Sequence, residues 1–346
     1  MKILFTIILS LIAFSKQTFF EDKQISNKFT LSKSEIELNA FNLFQKFIED
    51  QGKSYTTIEE YKQRFSIFKE NLYRIKSIQE NDPDAEYNVN VFADLSQEEF
   101  FKRNLMQDLN EEIKSDNDSN NLKFLEYETS KLSVQDLPKN WDWREKNVIS
   151  KVKNQGMCGS CWAFSAVQAA ESHYAIKTGK LYDLAEQQLL DCDRIDHACG
   201  GGLHYRGLDY IGKNGLVEDK NYPYKKKRSN CTINQTDVVA KFRGYKNITS
   251  DEIEMQKTLY ELGPISVGMD ATTLQFYIGG VANPWLCSKT NNHAVLIVGY
   301  GHSIFGRDYW LIKNSWGAWW GERGYFKLIR GKKICGITKA PAVPIV

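Results

Sequence analysis

The chain has 346 residues, of which 42% are hydrophobic and 25% charged, and its Lys+Arg 45 nearly balance Asp+Glu 43. A chain of that length can bury a large core, divided between more than one domain. The near-neutral balance gives no global field for recruiting nucleic acid or an anionic membrane, and the one basic run, Lys225-Lys226-Lys227-Arg228, reads as a solvated loop.

From the N-terminus, Met1-Lys2, the apolar run Ile3 to Phe14 and then Ser15-Lys16-Gln17 have the pattern of a secretory signal peptide cleaved after Ser15. No later stretch reaches the roughly 20 apolar residues of a membrane span. The expectation is a chain without a membrane anchor, folded where disulfides persist. Residues 35 to 80 predict amphipathic helices, with Phe41, Phe44, Phe47 and Ile48, then Phe65, Phe68, Leu72, Ile75 and Ile78, at helical spacing among charges. Asn81-Asp82-Pro83-Asp84 breaks the second helix, and Val89, Val91 and Phe92 suggest a short strand or extended turn. Residues 107 to 121 are polar with little to bury, which reads as a linker and a domain boundary.

Beyond it the composition changes: all seven cysteines, all eight tryptophans and most glycines follow residue 140. Ser160 is placed to cap a helix from Cys161 to about Lys177 that Gly179 ends, and Asp183 to Leu190 make another. The last third turns to short β-rich runs: Pro264 to Val267, His293 to Tyr300, Tyr309 to Lys313 and Tyr325 to Ile329. A helical half followed by a β half predicts an α+β protein with two packed lobes. Asn117, Asn230, Asn234 and Asn247 open glycosylation acceptor patterns.

The cysteines at 158, 161, 192, 199, 231, 287 and 335 are odd in number, so the simplest arithmetic is three disulfides and one free thiol. Cys161 opens a helix, where unpaired N–H groups and the macrodipole favour a thiolate. A thiolate needs a base, and the base an orienting group. His293 opens a run that reads as a buried strand, and Asn314 follows another, directly before Ser315-Trp316-Gly317. An Asn carbonyl can fix the imidazole tautomer, and an adjacent indole can exclude water from that bond.

Cys158-Gly159-Ser160-Cys161-Trp162, with His293 and Asn314 about 130 and 150 residues further on, is a documented signature, and it resembles the papain family of cysteine proteases in its cathepsin L-like branch. The likeness extends over nearly the whole chain after the signal. It implies a papain-like two-lobed fold, with a helical left lobe, a β-barrel-like right lobe and the active site in the cleft, preceded by a helical inhibitory propeptide. By the same resemblance Cys161 is the nucleophile, His293 the general acid/base, Asn314 the orienter, and Gln155 the side-chain donor of the oxyanion hole. It pairs Cys158 with Cys199, Cys192 with Cys231, and Cys287 with Cys335.

Glu60, Arg64, Phe68, Asn71 and Ile75 follow the interspersed helical motif of such propeptides, with Gln79 where Asn is usual; Asn90, Phe92 and Asp94 follow its second motif, with Asn88 in place of Gly. The resemblance thus implies a zymogen whose prosegment acts as its own inhibitor. The domains expected are a signal peptide at 1–15, a propeptide with linker at 16–130 and a peptidase domain at 131–346, cleavage falling between Lys123 and Leu137. It places Trp316 against the substrate, and Leu203, His204, Gly268, Asn291 and Ala340 around a subsite favouring an apolar side chain two residues before the scissile bond. His204, where an apolar residue is common, implies pH-dependent tuning of that subsite, and Asn292 replaces a frequent Asp.

No cofactor and no metal are expected. The partners implied are protein or peptide substrates and cystatin-type inhibitors, acting on a monomer in the secretory pathway that ends in a lysosome or vacuole or is secreted. Endopeptidase action is expected because no insertion with paired histidines lies between Cys192 and Leu203. Three rival readings exist: a thiol-disulfide oxidoreductase using the C-x-x-C, a metal site of Cys192, His197, Cys199 and His204, and a non-catalytic binding or storage homologue.

Overall fold

The computed structural model describes residues 28–119 and 132–346. The expected signal peptide and most of the expected cleavage region lie outside them. Ser32 accepts from the N–H of Glu35 while Glu35 accepts from the N–H of Ser32. This capping box starts α1 (Lys33–Asp50). After Gly52, Thr57 caps α2 (Ile58–Asn81), and the two helices lock through fully buried Phe44, Phe47 and Phe68. Burying each ring is worth about 1.5–3 kcal/mol.

Buried Asn71 on α2 donates to the carbonyls of Ala93 and Leu95, both at 2.8 Å, and Arg64 pairs with Glu99 at 2.7 Å. These bonds hold the chain that returns from α2 to α3 (Gln97–Asn104). The β structure expected around Val89 to Phe92 lies earlier, at β1 (Ala85–Tyr87). Gln79 accounts for that position: its Nε2 donates to Ala85 O at 2.9 Å and its Oε1 accepts from Tyr87 N at 3.0 Å. Asn88 donates through its backbone to Phe276 O at 3.1 Å, and Asn90 reaches Gln275 O at 2.8 Å. The linker expected at 107 to 121 is a correction: it contains α4 (Asn110–Ser119). Leu109 and Ile113, one helical turn apart, are buried against the C-terminal half, which is why the polar segment has a place to fold.

The second half begins with β2 (Trp141–Asp142) and the central helix α5 (Cys161–Thr178). α5 is buried on nearly all sides, with Gly179 at φ 74° ending it. Ser160 does not cap it by its side chain as expected; its Oγ meets Tyr224 Oη at 2.6 Å instead. α6 spans Glu186–Cys192, later than the predicted Asp183 start, because Leu184 N and Ala185 N donate to Glu171 Oε1 and Val217 O. α7 (His204–Asn214), β3 (Gly244–Asn247) and α8 (Glu252–Glu261) follow.

The strands β4 (Ile265–Met269), β5 (Tyr277–Ala282), β6 (His293–His302), β7 (Asp308–Lys313), β8 (Tyr325–Ile329) and β9 (Lys339–Ile345) complete the chain. The sheet order is β1-β5-β8-β7-β6-β4-β9-β3, with β2 on β6. Among the described strands only the β5–β8 pair is parallel. Strand β1 therefore extends the sheet of the C-terminal half from its edge, antiparallel to β5.

One core joins the N-terminal helices to the sheet, and a second joins α5, α6 and α7 to the inner face of β6. Cys158–Cys199 and Cys192–Cys231 staple the helical lobe, and Cys287–Cys335 the sheet lobe. Across the lobes, buried Lys313 at the end of β7 donates to Ser150 Oγ at 2.9 Å, and Ser150 bonds Glu171 on α5. The basic loop also departs from expectation. Arg228 donates to the carbonyls of Leu190, Asp193 and Asp196, so its guanidinium ties the loop down. Among the described residues no helix is long and apolar enough to cross a membrane.

Candidate active site

Two element ends and two turns converge on the seam between the lobes. Cys161, the free cysteine, is the first residue of α5 and is fully buried. The backbone of Ala294, the second residue of β6, reaches its thiol. That contact brings His293, the first residue of β6, to the same place. His293 Nε2 lies 2.8 Å from Asn314 Oδ1, which also accepts from Ser315 N at 2.8 Å. Nδ1 has no partner, and the Trp316 ring lies over the imidazole at 4.8 Å between centroids. The bond to Asn314 Oδ1 requires a proton on Nε2, so in the neutral ring Nδ1 is the basic nitrogen.

Gln155 completes the cluster. Its Oε1 accepts from Ser315 Oγ at 2.7 Å, and its Nε2 donates to Cys158 O at 2.9 Å and Asn104 O at 3.2 Å. Ser315 was not legible as a site residue. It couples Gln155 to the turn that carries Asn314.

The donor to Asn104 O points to what covers the site. Residues 104 to 110 run between the two walls of the seam. Met106 N donates to Asn292 O at 2.8 Å, Leu109 N to Asn291 O at 3.3 Å, and Asn291 N to Asp108 Oδ1 at 3.0 Å. On the opposite wall Gly201 has φ 121°, and a Cβ there would stand 3.1 Å from Met106 Cβ. A Cβ at Gly159 would meet Leu105 O at 3.2 Å and Cys199 O at 2.7 Å. The glycines let the covering segment lie directly on the backbone. Sequence reasoning missed this plug; the spacing of Leu105-Met106, Leu109 and Ile113 is the signal that could have found it.

The cover sets the electrostatics. Burial pushes the Cys161 thiol up to about 12, outweighing the backbone N–H groups that pull it down. Burial pushes His293 down to about 4, against the bond from Asn314. Between those values the proton stays on sulfur and the ring is neutral. The helix-start argument, which favours a thiolate, is overridden while the segment is in place. At pH 7 iodoacetamide should label Cys161 at least about a hundredfold more slowly in the intact chain than once residues 104–110 are removed, because only the thiolate reacts. Equal rates in the two forms would contradict this.

Leu203, His204, Gly268, Asn291 and Ala340 gather where β4, β6, β9 and the start of α7 meet, with Gly268 in register with Ala294 and Lys339. Two of them depart from the sequence expectation. His204 is fully buried, its Nε2 is 2.8 Å from Ala340 O, and burial pushes it down to about 4. With the prosegment in place it stays neutral above roughly pH 5. Asn291 lays its amide over Gly268, where a Cβ would be 2.2 Å from Oδ1, so this wall is part polar. Trp316 is buried against Phe92, Phe100 and Trp320 and packs the site. Cys192 and Cys199 are disulfide-bonded, which denies a metal their thiolates. Cys158 is bonded to Cys199, which leaves no C-x-x-C redox pair.

A buried thiol at a helix start, an Asn-held imidazole and a chain segment lying across both define a cysteine peptidase kept closed by its own N-terminal half. Residues 137–345 match the Papain family cysteine protease, and residues 44–100 match the Cathepsin propeptide inhibitor domain. A probable cysteine protease of Arabidopsis thaliana is 42% identical over 312 residues, 85% of this chain and 83% of that one. Cathepsin F of Drosophila melanogaster is 40% identical over 311 residues, 86% of this chain and 49% of that one. The solved structure of a digestive procathepsin L from the larval midgut of Tenebrio molitor superposes with TM-score 0.77 at 33% identity, covering 89% of this chain and 99% of that one. The chain belongs to the papain family of cysteine proteases, as a zymogen that carries its own inhibitory propeptide.

Proposed function

We propose that the activated protein is an endopeptidase with Cys161 as nucleophile, His293 as general acid/base, Asn314 as the residue that orients the ring, and Gln155 as an oxyanion donor. The observation that carries this reading is the free Cys161 thiol beside the first residues of β6, where Asn314 holds His293 and leaves Nδ1 unpaired. With the prosegment gone, solvent returns and the helix start favours the thiolate, the displaced proton resting on Nδ1 of His293. Sulfur attacks the scissile carbonyl carbon, a C–S bond forms, and the oxygen takes the electron pair toward the Gln155 amide. Collapse breaks the C–N bond as His293 protonates the leaving amine. Water then attacks the thioester, gives a proton to His293 and releases the thiolate.

The Asn104 carbonyl on Gln155 Nε2 supports the donor role, since a backbone carbonyl of the prosegment already uses it. Gln155→Ala in the activated enzyme should lower kcat by about 10²–10³ with little change in KM, a loss of about 2.7–4 kcal/mol. Steady-state kinetics on a fluorogenic peptide measures it; a drop confined to KM would remove Gln155 from the chemistry.

The subsite of Leu203, His204, Gly268, Asn291 and Ala340 is proposed to take a mainly apolar side chain two residues before the scissile bond. The proposed division is 1–15 signal peptide, 16–130 propeptide and 131–346 peptidase domain. Secretory-route targeting to a lysosome, vacuole or the exterior, a monomeric state and cystatin-type inhibition complete the reading. Of the acceptor asparagines, Asn230 and Asn234 are exposed and suit glycosylation, whereas Asn247 is half-buried in β3.

A further inference from the structure

The third residue of α7, Arg206, is a guanidinium with a 10%-exposed side chain, and almost everything it grips belongs to the prosegment. Its Nε donates to Asp116 Oδ2 at 2.7 Å and its Nη2 to Asp116 Oδ1 at 2.9 Å, so the edge of the fork holds both carboxylate oxygens. Tyr205 Oη adds a third donor to Oδ2 at 2.8 Å. Nη1 takes Glu112 Oε2 at 2.6 Å. Bidentate Arg–carboxylate pairs of this kind are charge-assisted and directional, and a partly buried one is screened less than a surface pair.

The donors are held from behind by the catalytic half itself. Asp196 Oδ1 stands 3.6 Å from Arg206 Nη1 and accepts from Leu203 N at 3.0 Å, and the Tyr205 ring is buried. Asp196 meets the Nη1 corner, whereas Asp116 takes the Nε–Nη2 edge. Other titratable groups lie nearby: His197 is 3.8 Å from Glu112, Asp193 lies beside Asp196, and Tyr245 stacks on the Tyr205 ring. A cavity of about 820 Å³ lies beside this contact, between α4 and the catalytic half, lined by Tyr205, Lys289, Lys339 and Ala340 on the catalytic side. α4 lies outside the residues that match the propeptide inhibitor domain.

We propose that Tyr205 and Arg206 form a carboxylate-binding subsite of the mature peptidase, which its own prosegment fills with Asp116 in the zymogen. The proposal rests on the peptidase reading above and on cleavage releasing α4. The covering segment leaves Gln155 at Asn104, passes Asn291 at Leu109 and reaches Arg206 at Glu112 and Asp116. The subsite therefore lies beyond the pocket formed around Asn291. The ligand it fits is an Asp or Glu side chain of a substrate, three to six residues before the scissile bond. Removing α4 uncovers the Nε–Nη2 edge without disturbing Asp196 or the Tyr205 ring.

The test uses the activated enzyme and matched quenched fluorescent peptides that carry Glu or Gln at each of those four positions in turn. The expected result is a kcat/KM ratio of Glu to Gln of about ten at one or two positions in low salt, falling toward one at 0.5 M NaCl. Arg206→Gln should bring that ratio to about one by lowering kcat/KM for the Glu peptides, while stoichiometric labelling of Cys161 by an epoxysuccinyl inhibitor shows that the variant is folded. Arg206→Lys should retain part of the preference, as a point charge without the fork. A ratio of one or less at all four positions in wild type, or a preference that survives Arg206→Gln, would overturn the proposal. Failure of wild type to cleave any of the peptides, with Cys161 unlabelled, would instead overturn the peptidase reading.

Discussion

Cys161→Ala is expected to abolish peptide hydrolysis, lowering kcat by about 10⁶, the loss seen when the nucleophile of a triad-type hydrolase is removed. The physical reason is that the rest of the cluster has no other atom to form the acyl intermediate. Gln155 and the helix start would still polarise a bound carbonyl, so a residual rate above that in water is expected. The substitution removes one sulfur from a packed site and leaves the three disulfides intact, so the fold should persist. Full-length Cys161→Ala should also stay uncut at acid pH if activation is self-catalysed, and wild-type enzyme added in small amount should then cut it. Substantial hydrolysis by the purified variant would remove Cys161 from the mechanism.

Phe100→Ala should have the second largest effect, on inhibition and not on catalysis. Phe100 is fully buried at the end of the prosegment domain, edge-on to Phe92 at 5.3 Å and to Trp316 at 5.2 Å. Trp316 in turn covers His293. Truncating a buried Phe costs about 3–5 kcal/mol, here shared between the fold of the prosegment and its grip on the catalytic half. The variant zymogen should therefore label at Cys161 and activate at least about a hundredfold faster at a given pH. Once residue 100 has been cleaved away, kcat and KM should equal those of the wild type. A mature enzyme with altered kinetics, or a zymogen as stable as the wild type, would contradict this reading.

The pH response of the cover follows from the buried histidines. His293 lies at the covered seam, His204 is buried against Ala340 O and His173 against Pro264 O, each pushed down to about 4 by burial. A folded pKa below the ordinary 6.5 means that the unfolded or uncovered state binds more protons as pH falls. The stability they contribute is complete above about pH 6.5 and is lost on going down through 4. Acidification in that window should thus lower the melting temperature of the zymogen.

What was legible in the sequence was the placement of candidate groups at rigid element ends. Cys161 at a helix start, His293 at a strand start and Asn314 after a strand could be read because helix and strand periodicities fix those ends. The helical faces of the prosegment were legible for the same reason. The plug was not: residues 107 to 121 are polar, and their helix exists because Leu109, Ile113, Glu112 and Asp116 find partners on α7 and in the cleft, far away in sequence. His204 looked like a titrating subsite residue because its burial and its bond to Ala340 O depend on β9, which no local pattern reveals. The neutral state of Cys161 was likewise invisible, since the helix start argues for a thiolate and only the seated prosegment reverses it.

The most direct test of the whole account is to acidify the purified zymogen in the presence of an epoxysuccinyl alkylating inhibitor and follow intact mass, peptidase activity and the labelled residue together. The account predicts loss of the chain up to the region of residues 123–137, a simultaneous gain of activity in the sample without inhibitor, and a single label on Cys161 with Cys158 still bonded to Cys199. Activity in the uncut chain, or a label on Cys158, would contradict it.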